Sequence, residues 1–335
     1  MSAKRRLLSA FIVLLLSILA CNMPGSSPNP PANIPPPQVI ASTLPAGAVS
    51  SEPSTIVHQS MPGDVSLTGD INYDVESQTT SALHRAPYGD VYPYDRLERP
   101  FTQNDMTYLP DIDIVRFRLS SDDTWYYIFI ELIGSNPNDP LSIDYGVEMD
   151  QNKDGFGDIL VWVHPPYATG WTTNGVTVST DTNHDSAGVS AEQSDAPFSG
   201  NGYDTVIFDQ GQGQDPDLAW ARLDPKNANV VELGFKKSLP GKAFMWSVWA
   251  DALLRDPALF SYNDRYTLAD AGSPQKDNSY YPLKALFAMD STCRAVFGFK
   301  PTGYEPLICP PTTGPSPTKE PQQPRPTCPA GRICP

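Results

Sequence analysis

Proline is spread so unevenly along these 335 residues that it decides where a core can form: 21 of the 36 prolines fall between Pro24 and Pro62 or between Pro301 and Pro335. Proline has no backbone donor and holds φ near about −65°, so proline runs among Ser, Asn, Ala and Gly favour extended polyproline geometry and bury little. Residues 21–62 therefore read as a semi-stiff spacer and residues 301–335 as a second Pro-rich tail, both disordered. Residues 63–300 are left as one domain, long enough to bury a core.

Inside that segment, apolar and polar residues alternate with period two in short stretches bounded by Gly, Pro, Asn and Asp, the pattern of half-buried strands. Nine strands are predicted: 112–119, 124–133, 143–149, 159–164, 176–180, 205–208, 218–223, 230–236 and 245–250. Only Ser-Ser-Asp-Asp separates the first two, which predicts a hairpin. A brief helix is expected over 281–289, and no long helical period appears. The fold class is all-β, an antiparallel, jelly-roll-like β-sandwich.

The strand around 125–132 is apolar on both faces, with Tyr126, Ile128, Ile130 and Leu132 on one and Trp125, Tyr127 and Phe129 on the other. Either it is central and covered twice, or the second row is an exposed aromatic platform. Coverage is the expectation, because large exposed apolar patches are rare.

Charge narrows the partners. The domain holds 35 acids against 17 bases, and between Leu119 and Ala221 there are 17 acids and the single base Lys153. Nucleic acid and anionic lipid surfaces need basic patches and are excluded as partners, whereas cations suit this balance. The sharpest local signal is Asp150-Gln-Asn152-Lys-Asp154-Gly-Phe156-Gly-Asp158. Oxygens at alternate positions followed by a turn glycine let a short loop wrap one hard cation. The run is similar to the calcium loops of EF-hand, dockerin and thrombospondin repeats. The resemblance implies calcium ligation by the side chains of Asp150, Asn152, Asp154 and Asp158 and by the Phe156 carbonyl. The bidentate glutamate of an EF-hand would fall on Val161, so the expected site is a strand-loop-strand one, completed by Asp158 or an acid from elsewhere. Asp181, Asn183 and Asp185 repeat the spacing without the glycine and either complete that site or form another.

At the N-terminus, Lys4, Arg5 and Arg6 precede an apolar run of 14 residues from Leu7 to Ala20. As a helix it covers roughly 21 Å, short of a hydrocarbon core of about 30 Å, so it reads as a secretory signal. Ser-Ile-Leu-Ala-Cys21 resembles the lipobox of bacterial lipoproteins, which implies cleavage after residue 20 and lipidation of Cys21. The expected location is extracytoplasmic, lipid-anchored to a bacterial membrane at the cell surface. Cys293, Cys309, Cys328 and Cys334 remain, an even number that suggests disulfides in an exported chain. Three pairings exist; neighbours, 293 with 309 and 328 with 334, are favoured.

The paired segments 111–132 and 145–163, with weaker support from 230–241 and 245–251, resemble the sandwiches of family 9 carbohydrate-binding modules and the DOMON superfamily. That resemblance implies a fold and a ligand class: glycans or, in some DOMON members, haem. Trp171 and Tyr167, in a Gly-containing loop, are the candidate sugar-stacking rings. No GxSxG elbow, HExxH helix, phosphate loop or dinucleotide fingerprint occurs, so a non-catalytic module is expected. The alternatives are a structural or adhesive envelope protein binding other proteins, and a two-carboxylate glycoside hydrolase.

Overall fold

Alternation decides which face of each strand is buried, and two sheets then share one core. The computed structural model describes residues 56–87, 99–186, 201–253, 256, 283–284 and 286–310. One sheet contains β1 (Ile71–Tyr73), β2 (Ile114–Ser121), β3 (Trp125–Leu132), β9 (Ala219–Leu223) and β10 (Val230–Lys236), in the order β1-β2-β3-β10-β9. The second contains β4 (Asp144–Asp150), β5 (Ile159–Val163), β6 (Val176–Thr180), β7 (Thr205–Asp209), β8 (Gln212–Gly213), β11 (Phe244–Asp251), β12 (Met289–Ser291) and β13 (Ala295–Phe297). Its order is β12-β11-β4-β5-β6-β7-β8, with β13 also paired to β11. Every strand pair in both sheets is antiparallel. The all-β expectation holds, and all nine predicted strands are present with ends shifted by at most two residues.

Between the sheets, Phe117, Ile128, Ile130, Val231 and Leu233 of the first meet Val147, Val161, Val178, Trp246 and Val248 of the second. Each such aliphatic side chain, taken fully out of water, stabilises the fold by about 1.5–3 kcal/mol. The β2–β3 hairpin forms as expected. Its turn is closed by Asp122, whose Oδ1 accepts the Thr124 and Trp125 amides, both at 2.7 Å. On β4, Gly146 is flanked in register by Trp249 and Trp162. A Cβ there would stand 2.2 Å from the Trp162 ring, so the close approach of that indole requires glycine.

Two expectations change. The predicted helix over 281–289 is absent among the described residues of that stretch, and Met289 instead begins β12, paired with Asp251. A stretch of nine residues is too short for apolar spacing to separate helix from strand, and the open edge of β11 supplied the pairing that decided it. The spacer, expected to run to Pro62, gives way earlier: residues 56–62 lie on the domain. His58 Nδ1 is 2.8 Å from Asp217 Oδ1, and the Gln59 and Ser60 amides donate to Asp217 Oδ2 at 2.8 Å.

Candidate functional site

Two acidic loops stand at one end of the larger sheet, 150–158 between β4 and β5 and 181–186 after β6. Asp150 is fully buried; its Oδ1 accepts the Lys153 amide at 2.5 Å and its Oδ2 the Gly155 amide at 3.0 Å. Gly155 reaches this position with φ +97°, which a side chain would oppose. Asp154 N donates to Asn152 Oδ1 and Asn152 Nδ2 to Asp154 Oδ2, both at 2.9 Å. The Phe156 amide donates to Asp154 Oδ1 at 2.9 Å, and Asp158 Oδ2 accepts the Gln151 amide at 2.5 Å. Burial pushes the Asp150 and Asp158 carboxyls above the usual range.

Asp181 closes the second loop. Its Oδ1 accepts from Asn183 and His184, and its Oδ2 from Asp185 and Ser186, at 2.7 to 3.0 Å. Asn183 Nδ2 donates to Asp185 Oδ2 at 3.0 Å. The loops join at Asp158: the Asp181 amide donates to its carbonyl at 3.1 Å, and His184 Nδ1 lies 3.5 Å from its Oδ1. The two runs, expected either to share one site or to form two, are therefore neighbours in space. Their oxygens are engaged with backbone amides and with each other, and among the described residues no three His, Cys, Asp or Glu side chains form a metal-holding group. Shared ligation would need these side chains turned to a common centre.

The positive charge these acids meet is Arg294, which sequence reasoning missed. Its guanidinium is fully buried, with Nη1 donating to the Gly155 carbonyl at 2.7 Å and Nη2 to Glu148 Oε2 at 3.1 Å. Nη1 also lies 3.6 Å from Asp150 Oδ2. Tyr203 donates to the other oxygen, Glu148 Oε1, at 2.9 Å. The only sequence hint was position: Arg294 follows Cys293, whose disulfide with Cys309 is formed as favoured. Arg294 exchanges backbone hydrogen bonds with Leu307 and Cys309, so the bridge fixes the segment that aims the guanidinium.

The candidate rings are not alike. Tyr167 is buried; its hydroxyl lies 2.7 Å from the Ile143 carbonyl and 2.9 Å from that of Val163, and its ring packs on Tyr145. A ring so enclosed presents no stacking face, and its loop setting gave no hint of this. Trp171 is half-buried, packed against Trp125, Tyr127, Phe129, Trp220 and Val230, with the Arg222 guanidinium 4.4 Å from its ring. These residues make up the outer face of the five-stranded sheet, so the second apolar row of β3 is covered, as expected.

The cover is the segment 56–69, of which 56–62 were expected in the spacer and 63–69 in the domain. Val65 packs into the aromatic cluster, and the His58 ring lies 4.7 Å from Trp220. The Gly63 amide donates to the Tyr127 hydroxyl at 3.1 Å, and Asp64 pairs with Arg222 at 2.8 Å. Burial alone would raise the Asp217 carboxyl, yet donors from Gln59, His58 and Ser60 hold it below its usual range. Past Leu67 the face opens into a groove of about 120 Å³, lined by Arg116, Arg118, Phe129, Glu131 and Asn227 among others.

Cys21, Cys328 and Cys334 lie outside the described residues. Comparison with known proteins finds no matching family model, no matching curated protein and no matching solved structure.

Proposed function

We propose that this chain is an extracytoplasmic, lipid-anchored protein whose β-sandwich is a non-catalytic binding module for a saccharide, stabilised by calcium at its paired acidic loops. The observation that carries the reading is the make-up of the outer face of the five-stranded sheet. The outer face of a sheet next to water is ordinarily polar. This one interleaves the rings of Trp125, Tyr127, Phe129 and Trp220 with Arg222, Glu232 and Lys236. Rings that stack on sugar C–H faces, set among charged groups that orient hydroxyls, are what saccharide recognition requires. The resemblance of the paired strand segments to carbohydrate-binding modules points the same way.

Calcium is supported by the buried, raised carboxyls of Asp150 and Asp158 and by the excess of acids around them. The non-catalytic part is supported by the pairing of the two buried glutamates. Glu148 is paired with Arg294 and Glu232 with Arg222, so neither is an unengaged acid facing a cleft.

A second reading, contact with envelope proteins, is favoured by the outward side of the covering segment, where Val57 and Met61 are 70% and 59% exposed. The two readings part on an array carrying neutral oligosaccharides beside envelope proteins. Retention on saccharides, with no turnover of chromogenic glycosides, is the expected result. Retention on proteins alone would replace the first reading by the second, and turnover would overturn the non-catalytic one.

A further inference from the structure

We propose that segment 56–69 is the displaceable cover of the saccharide platform, so that the chain and its ligand compete for one face. The inference rests on the binding-module reading and adds where the ligand sits and what must move.

The attachment of the segment is the first support. Among the described residues, no backbone-to-backbone hydrogen bond ties 56–69 to the sheet. It crosses the face without joining a ladder and is held by side chains, three of its residues converging on the single carboxylate of Asp217. An element held this way can leave without breaking the sheet beneath, which keeps all its strand pairing.

The second support is what the cover leaves undone. Trp171 Nε1 is buried without a hydrogen-bond partner. Pro62 and the Trp171 ring converge on Gly234, where a Cβ would stand 2.9 Å from the one and 3.3 Å from the other. The cover meets the benzo edge of that indole and leaves its N–H unsatisfied, a donor that a ligand hydroxyl on this face would accept. The cover thus matches the face in shape and falls short in polar pairing.

The third support is continuity. The open groove beyond Leu67 shares Phe129 with the covered cluster and adds Arg116, Arg118 and Asn227. Arg116 is spent in a paired contact with Glu131 at 2.5 and 2.8 Å, while Arg118 holds the Leu67 carbonyl at 3.3 Å. Arg118 therefore stands at the junction of cover and groove. A saccharide seated in the groove extends along the face only by lifting Leu67 and the residues before it.

The test measures binding of the full chain to an array of neutral hexose and pentose oligosaccharides, then affinity for the best of them by calorimetry. Wild type, Asp217→Ala and Trp220→Ala are compared, with chymotryptic cleavage after Leu67 reporting release of the cover. Loss of the anchor is expected to speed that cleavage and to tighten saccharide binding about tenfold, because a competent state populated in only a small fraction lowers apparent affinity by that fraction. Trp220→Ala is expected to lose binding. The pair His58→Ala with Asp64→Ala, confined to the cover, gives the same comparison should Asp217→Ala fail to fold. Equal affinity in wild type and the released variant would overturn the cover while leaving a binding module with its site elsewhere. A cover as protected in both variants as in wild type would also overturn it. No saccharide retained by a variant whose cover is released would overturn both readings.

Discussion

Arg294 and Glu148 face one another at 3.1 Å with neither side chain exposed to solvent. Removing one member of a buried ion pair strands the other, at a cost of roughly 3–5 kcal/mol, whereas replacing both by apolar residues is often neutral or better. Arg294→Met is therefore expected to destabilise the domain by about that amount, and the double variant Arg294→Met/Glu148→Met to recover much of it. Chemical denaturation of the four proteins in a double-mutant cycle measures this. A double-variant loss equal to the sum of the two single losses would show that the two side chains are not coupled.

The Cys293–Cys309 bridge closes a separation of 16 residues. Chain-entropy arguments put the stabilisation for a loop of about that length near 3 kcal/mol. Cys293→Ser/Cys309→Ser should lower the unfolding free energy by about this much. Because the bridged segment also aims Arg294, the loss should grow in wild type relative to the Glu148→Met background; identical losses in both would separate bridge from ion pair.

Asp113 titrates in the wrong place for an ordinary aspartate. It is fully buried and, although Tyr108 and the Ser77 and Gln78 amides donate to it, burial pushes its pKa up to about 7. The folded chain thus holds a proton there that the unfolded chain has released from about pH 4 upward. This contribution to stability is complete below pH 4 and is lost as pH rises towards 7. Asp113→Asn should flatten the decline between those limits in a pH series of melting temperatures. An unchanged slope would place the titration elsewhere.

Calcium at about 100 times its dissociation constant would add about 2.7 kcal/mol to folding, or roughly 5–10 °C in Tm for a domain of this size. Thermal unfolding in calcium and then in excess chelator should show that rise, and Asp150→Ala should abolish it. The same melting temperature in both conditions would leave Arg294 as the only cation these loops need.

Cys21→Ser is expected to move the chain from the membrane fraction to the soluble extracytoplasmic fraction and to end acyl labelling. Continued retention with label would defeat the lipobox reading.

The sandwich was legible because nine of its strands span five or more residues, enough for one face to declare itself, as in Ile128, Ile130 and Leu132. Strands β12 and β13, with three residues each, are too short to show a period. The cover was hidden by its setting: Ile56, Val57 and Met61 show no alternation and follow directly on a Pro-rich run, so nothing local marks 56–62 as docked. Arg294 was hidden by distance, since it meets Gly155 and Glu148 across 139 and 146 positions. Tyr167 misled for a third reason. Its neighbours look like a loop, and they are one, but its hydroxyl bonds to backbone carbonyls at 143 and 163, which no spacing rule foresees.

The contact of His58 with Trp220, ring centre to ring centre at 4.7 Å, has an optical consequence. An imidazole held against an indole alters its emission, most strongly when the imidazole is charged. The segment that lies over the aromatic face thus carries its own quencher, and its arrival and departure are written into the intrinsic fluorescence of the unlabelled protein.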